Sequence, residues 1–243
     1  MTLPHYKKVD MHIHTPESYC YSESSISPEQ IVESALAAGL DAIAITDHNS
    51  FRNVHDIEMI ASDKGLAVFP GSEISTKCGH FLALFQPGTP EKELEDFLDY
   101  IKISRIKWGD ASFIVEYETV EILEKIVERR GLAIAAHIER WPSGFVEGRQ
   151  PRRVKMDIHS SLFLSALEIT IPGNKRVWNN GEMRDYPKKY PCIQGSDAHH
   201  PDEIGRRPVY IRMDGFNLDD LRAAFKEPDL NISFPGEIDP VEM

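Results

Sequence analysis

Five apolar, strand-like runs of this chain end in histidine or a carboxylate. Val9-Asp10-Met11-His12-Ile13-His14 delivers two histidines two residues apart. Ala42-Ile43-Ala44-Ile45-Thr46 runs into Asp47-His48, and Leu66-Ala67-Val68-Phe69 leads to Gly71-Ser72-Glu73. Leu132-Ala133-Ile134-Ala135-Ala136 stops at His137, and Pro191-Cys192-Ile193-Gln194-Gly195-Ser196 stops at Asp197-Ala198-His199. Imidazole and carboxylate are the donors that zinc, manganese and iron take. Five such endings over most of one chain imply strand ends converging on one site, with room for more than one ion.

The elements between these runs fit that convergence. Strand-like and helix-like segments alternate, as in a parallel α/β fold. Ser27-Pro28-Glu29-Gln30 reads as a helix start, with Ser at the N-cap, Pro at the first position and Gln at the third. Gly39 stops that helix, Gly65 stops one over 51–64, and Gly131 stops one over 118–130. A further charged helix is expected over 91–107 and a closing helix over 216–225. Strands are expected at 8–14, 40–46, 66–69, 80–85, 132–137, 165–171 and 191–196. The stretches 15–26, 140–154 and 172–190 read as loops. Seven strands approach the eight of a (β/α) barrel, whose chemistry sits at the carboxyl ends of its strands. His80 departs from this mildly, since it begins its run.

Composition sets outer bounds. A chain of 243 residues, 41% hydrophobic, suits a globular protein, and a single domain over 1–243 is expected. No apolar run is long enough for a membrane span and the first residues lack a signal-peptide core, so a cytoplasmic location is expected. Three cysteines, Cys20, Cys78 and Cys192, form no disulfide framework. A net charge of -12 argues against a broad duplex-binding footprint, yet leaves phosphorylated substrates open.

The ordered set Asp10-Met11-His12-Ile13-His14-Thr15, Ile45-Thr46-Asp47-His48, Gly71-Ser72-Glu73, His80, Ala136-His137 and Gly195-Ser196-Asp197-Ala198-His199 resembles the PHP superfamily (polymerase and histidinol phosphatase domains). The resemblance implies a distorted (β/α)7 TIM-like barrel, two or three divalent ions (Zn, Mn or Fe) and phosphoesterase chemistry. It implies that His12, His14, Glu73 and Asp197 hold one ion, and that Glu73 bridges to a second held by His80 and His137. His48 and His199 would serve a third. The family usually places Asp or His in the loop after His14. Here Glu17-Ser18-Tyr19-Cys20-Tyr21-Ser22-Glu23 stands there, with Glu17, Cys20 and Glu23 as candidate substitutes. His14-Thr15-Pro16-Glu17-Ser18 and Ile204-Gly205-Arg206-Arg207 look like the PHP module found at the N-terminus of some ATPase proteins. No Walker loop is present in this chain.

A phosphoesterase needs cations to grip non-bridging oxygens. Arg140, three residues past His137, and Arg206 and Arg207, soon after His199, are the candidates. Asp10 and Asp47 read as supports for neighbouring ligands rather than ligands. His5, His55, His159 and His200 read as surface or packing residues. Trp141, Trp178 and Tyr19 could stack a base, but packing is the expected role for each.

The expected function is hydrolysis of a phosphomonoester or phosphodiester by metal-activated hydroxide. Asp197 and His199 are the catalytic candidates, with His199 as a possible general acid. The substrate would be a nucleotide, a sugar phosphate or a nucleic-acid end. Two alternatives carry the same donors: an amidohydrolase-like enzyme, which would normally want a carbamylated lysine where Glu73 stands, and a non-catalytic metal-containing binding module.

Overall fold

The computed structural model describes residues 5–238. Its elements, in chain order, are β1 (Tyr6–Ile13), α1 (Pro28–Ala37), β2 (Ala42–Ile45), α2 (Val54–Asp63), β3 (Ala67–Thr76), β4 (Gly79–Leu84), α3 (Glu91–Tyr100), α4 (Thr119–Glu128), β5 (Leu132–Ala135), α5 (Arg152–Ser160), β6 (Leu164–Glu168), α6 (Lys175–Asn180), β7 (Cys192–Ile193), β8 (Val209–Arg212), α7 (Leu218–Lys226), α8 (Pro228–Asn231) and β9 (Ile232–Ser233). The capping box of α1 forms as its sequence predicts. The Gln30 N–H donates to Ser27 Oγ at 3.4 Å and the Ser27 N–H to Gln30 Oε1 at 2.9 Å.

Among the described residues the strands form one sheet in the order β7-β6-β5-β4-β3-β2-β1-β8-β9. β2 and β5 are buried at every position, which explains their unbroken apolar sequences: both faces of a parallel strand are covered. β1 divides its free edge. Tyr6–Val9 pairs antiparallel with β8, while the other half meets the segment after β7. There the Asp197 N–H donates to the His12 carbonyl at 2.9 Å and the His14 N–H to the Ala198 carbonyl at 3.0 Å. Those bonds nearly close the sheet into the expected distorted (β/α)7 barrel, with β8 and β9 appended outside it.

The distortion lies at β4, which runs antiparallel to both β3 and β5. β3 and β4 form a hairpin whose last pair is Thr76 with Gly79. The start of β4 therefore lies at the same barrel end as the carboxyl ends of the parallel strands. His80 reaches the common site because its strand is reversed.

Several expected elements shift. The helix expected over 91–107 ends at Tyr100, where Lys102 takes a left-handed φ of 62° and Ile101 and Ile103 both enter the core. Two core residues so close to a left-handed turn do not fit a continuing helix. The strand expected over 165–171 spans Leu164–Glu168; the loop expected at 140–154 holds until α5 starts at Arg152, and the one expected at 172–190 is interrupted by α6. Strands β8 and β9 were not anticipated. No helix among the described residues is long and apolar enough to cross a membrane.

Candidate metal centre

The strand ends bring six imidazoles and three carboxylates to one end of the barrel. His12 and His14 leave β1, His48 follows β2, Glu73 lies within β3, His80 in β4, His137 follows β5, Glu168 ends β6, and Asp197 and His199 follow β7. Three donor groups have ligating atoms within 4.8 Å of one another: His12 with His14, Glu73 and Asp197; His48 with Glu73 and His80; and His14 with His48 and His199. His137 Nε2 lies 2.8 Å from Glu73 Oε1, which also faces His80 Nδ1 at 2.9 Å.

Glu73 is the hub. Its Oε2 is buried without a hydrogen bond, yet His48 Nδ1, His14 Nε2 and His12 Nε2 surround it at 3.0, 3.3 and 3.5 Å. The His48 Nδ1 and Glu168 Oε1 atoms are likewise buried without a hydrogen bond. Orphaned buried donors and acceptors are costly, and a cation placed among them removes that cost. The donor set therefore fits divalent ions.

Supporting residues fix which nitrogen each ring presents. His12 Nδ1 lies 2.7 Å from Glu168 Oε2, which turns Nε2 toward Glu73 and Asp197. His14 Nδ1 lies 3.0 Å from Ser18 Oγ. The Ser18 hydroxyl donates to Asp47 Oδ1 at 2.6 Å, so its oxygen receives the His14 Nδ1–H. Asp47 also accepts from the Thr15 N–H and hydroxyl, at 2.8 and 2.6 Å. Asp10 accepts from the backbone N–H groups of Ser196 and Gly205, at 2.9 and 2.8 Å, tying the Asp197 loop to β1. These carboxylates orient ligands instead of adding donors.

Two site residues take backbone shapes that L-residues avoid: His137 has φ 29° and Asp197 φ 50°. Each such residue costs about 1–3 kcal/mol, tolerated where the surroundings impose it. Both side chains are thereby turned off their strand ends into the cluster.

Burial disfavours charge throughout the site, and the groups answer in pairs. Against burial, Glu168, Asp197 and Glu73 hold His12 well above the ordinary imidazole value. Against burial, Asp197 and Glu73 raise His14 to about 9. Glu73 and Asp197 are themselves held well below the usual carboxylate range by the imidazoles around them, again against burial. Burial wins at His48, which is lowered, and at His199, which burial and the His14 charge push down to about 4.

The remaining candidates lie at the rim. Arg140 Nη1 contacts Asp197 Oδ2. Arg206 donates from Nε and Nη2 to the Ser196 carbonyl at 3.1 and 2.9 Å, and from Nη1 to Glu203 at 2.7 Å. Arg207 donates to the Ile169 carbonyl at 2.8 Å. Burial lowers the Arg207 guanidinium, and Arg140 and Arg206 lie close enough to add to that effect. In the loop after β1, Glu17 bonds Ser50 and Arg52, and Glu23 bonds Ser25, while Cys20 Sγ lies 3.1 Å from His199 Nε2.

Sequence reasoning missed Glu168 and Ser18. Glu168 carried the same signal as the other strand ends, a carboxylate closing the apolar run Leu164-Ser165-Ala166-Leu167. It was masked because the strand was drawn on to Ile171.

A barrel of this kind with this donor set defines a metal-dependent hydrolase. The PHP domain model matches residues 10–152 and the PHP-associated model residues 187–229. This chain belongs to the PHP domain family. It is 31% identical over 137 residues to an uncharacterized protein of Methanocaldococcus jannaschii, covering 54% of this chain and 67% of that one. It is 26% identical over 238 residues to a probable histidinol-phosphatase of Deinococcus radiodurans, covering 82% and 88%. Among solved structures, a lesion-specific endonuclease of Pyrococcus furiosus superposes with a TM-score of 0.69 at 19% identity. That match covers 94% of this chain and 57% of the endonuclease, and it bears on the fold.

Proposed function

We propose that this protein is a metal-dependent phosphoesterase, acting as one barrel domain on a phosphomonoester or phosphodiester of a nucleotide, an oligonucleotide end or a sugar. The observation that carries the reading is Glu73: a buried carboxylate with an unbonded oxygen, ringed by imidazoles, at the point where two donor groups meet. His12, His14, Glu73 and Asp197 would hold one ion, and Glu73, His80 and His137, with His48 adjoining, a second. His48 and His199, with His14 beside them, would hold a third, and Cys20 is the loop residue placed against His199. Zinc, manganese and iron suit these donors. The chemistry that bound divalent ions supply in such a site is activation of water and neutralisation of phosphoryl oxygens during in-line displacement.

The chain's own residues do the rest. Arg140, with Arg206 and Arg207 near it, forms a cationic flank beside Asp197 for the non-bridging oxygens. Asp197 places its two oxygens between that flank and the imidazoles. His199, partly exposed and held neutral by burial and the His14 charge, offers its lone pair to an ion or to a proton, so the shift does not favour it as the general acid expected from the sequence. The names of a phosphatase and an endonuclease among similar proteins point to the same bond type. An amidohydrolase reading, which would want a carbamylated lysine between the ions, gains no support from a site in which Glu73 would bridge them.

The test is phosphate release by metal-reconstituted protein from a panel of nucleotides, sugar phosphates, bis(p-nitrophenyl) phosphate and short single strands, with Asp197→Ala and His12→Ala as controls. Turnover lost in both controls is the expected result. Silence across the panel by protein with metal demonstrably bound would sink the proposal in favour of a binding module.

A further inference from the structure

We infer that the rim of this site carries a base-stacking subsite for single-stranded nucleic acid, built on Trp141 and Arg149 with Tyr19 as a second platform. The inference deepens the phosphoesterase reading and rests on it for the place where the phosphate sits.

Trp141 is 54% exposed, whereas Trp108 and Trp178 are buried. A large indole left in solvent forgoes substantial apolar burial, and here it stands beside Arg140, whose guanidinium contacts Asp197. The Arg149 guanidinium lies over the Trp141 ring, 5.1 Å from its centroid. The ring is thus ordered by a cation and remains open to solvent. The segment 140–154 holds Arg140, Arg149, Arg152 and Arg153 against the single acid Glu147, in a chain whose net charge is -12; Arg140 pairs with Asp197 and Arg152 with Asp185 outside the segment. That is a local reversal of charge next to the candidate centre.

A second exposed aromatic lies in the loop after β1. Tyr19 is 71% exposed, and the next residue, Cys20, touches His199. Tyr19 is nonetheless anchored. Its N–H donates to the Gly109 carbonyl at 2.9 Å, and its ring packs so closely on Gly109 that an added Cβ would lie 3.0 Å from the tyrosine Cε1. Gly109 has φ 78°, a second reason for glycine there. Two anchored, solvent-facing aromatic rings thus stand next in sequence to residues that touch the candidate centre, Trp141 after Arg140 and Tyr19 before Cys20, with Arg149 over the first ring. Aromatic faces interleaved with cations are how proteins hold successive bases of a single strand without reading sequence. A duplex would present its bases stacked on one another, away from these rings.

Two octamers separate base stacking from phosphate attraction: oligodeoxyadenylate and a fully abasic strand of equal length and charge. Each is titrated into the wild-type protein while tryptophan fluorescence is followed, with Trp141 the solvent-facing indole. The base-bearing strand is expected to quench that emission and to bind about 5- to 150-fold tighter than the abasic strand for each base stacked. Trp141→Ala should abolish the difference, Trp141→Phe should keep most of it, and Tyr19→Ala should reduce it. Equal binding of the two strands, or an unchanged difference in Trp141→Ala, overturns the subsite. Turnover of the same strands is measured separately. Base-dependent binding with no ester cleaved would refute the phosphoesterase reading and leave the subsite standing. Cleavage without base-dependent binding would do the reverse.

Discussion

Replacing Glu168 isolates what a buried carboxylate behind a ligand contributes. Glu168 and His12 are both essentially inaccessible, and Oε2 lies 2.7 Å from Nδ1. A hydrogen bond to a charged partner at that separation contributes roughly 1.5–3 kcal/mol. Glu168→Gln keeps the shape and an acceptor oxygen but loses the charge, so it forfeits the smaller part. Glu168→Ala forfeits all of it and leaves His12 free to rotate. Loss of such outer partners typically weakens metal affinity by about 10–100-fold. The glutamine variant is expected near the lower figure and the alanine variant near the upper, about 1.4 and 2.7 kcal/mol.

The assay is competition with a chelator for zinc and manganese at fixed pH, with bound equivalents counted by elemental analysis. Affinities within twofold of wild type in both variants would refute the argument that Glu168 orients His12. Loss of one whole equivalent in the glutamine variant would refute it differently. The unpartnered Oε1 would then be a ligand, and Glu168 more than a positioning residue.

Other outcomes follow from the same geometry. A Cβ on Gly195 would lie 2.6 Å from the His12 Cβ and 3.3 Å from Glu168 Oε1. Gly195→Ala should therefore cost about 1–3 kcal/mol, lowering the melting temperature by roughly 2–12 °C and weakening metal binding. An unshifted melting curve would contradict this. Arg140→Ala should raise KM for a phosphoester roughly 10–100-fold through loss of a charge-assisted contact, with metal content unchanged; loss of metal instead would make Arg140 structural. Metal loading should strengthen as pH rises toward about 9. His14 is raised to about 9 and His12 is also raised in the metal-free site, whereas the ligating form is deprotonated, so bound protons compete with the ion below that pH. Calorimetry in two buffers of different ionisation enthalpy reads the released protons, and affinity flat between pH 7 and 9 would oppose it.

Much of the fold and candidate site was legible because a parallel strand and its ligand are written together. β2 and β5 are short apolar runs that burial on both faces demands, and His48 and His137 lie just beyond them. The same logic explains what was hidden. His80 looked misplaced because strand direction is a property of pairing, and nothing local in Gly79-His80-Phe81 says that β4 is reversed. β8 and β9 were missed because they pair outside the barrel, and β9 is only two residues long. Glu168 was lost to a boundary error of three residues. The backbone N–H groups of Thr170 and Ile171 donate to Glu139 Oε2, at 3.1 and 2.8 Å, instead of continuing the sheet ladder. Beyond Ile169, whose N–H still donates to the Ile193 carbonyl, the backbone donors turn to a distant carboxylate, and Glu168 at the strand end lies behind His12. Sequence patterns show where a strand is apolar; where this one stops is marked by a hydrogen bond to a carboxylate 31 residues away.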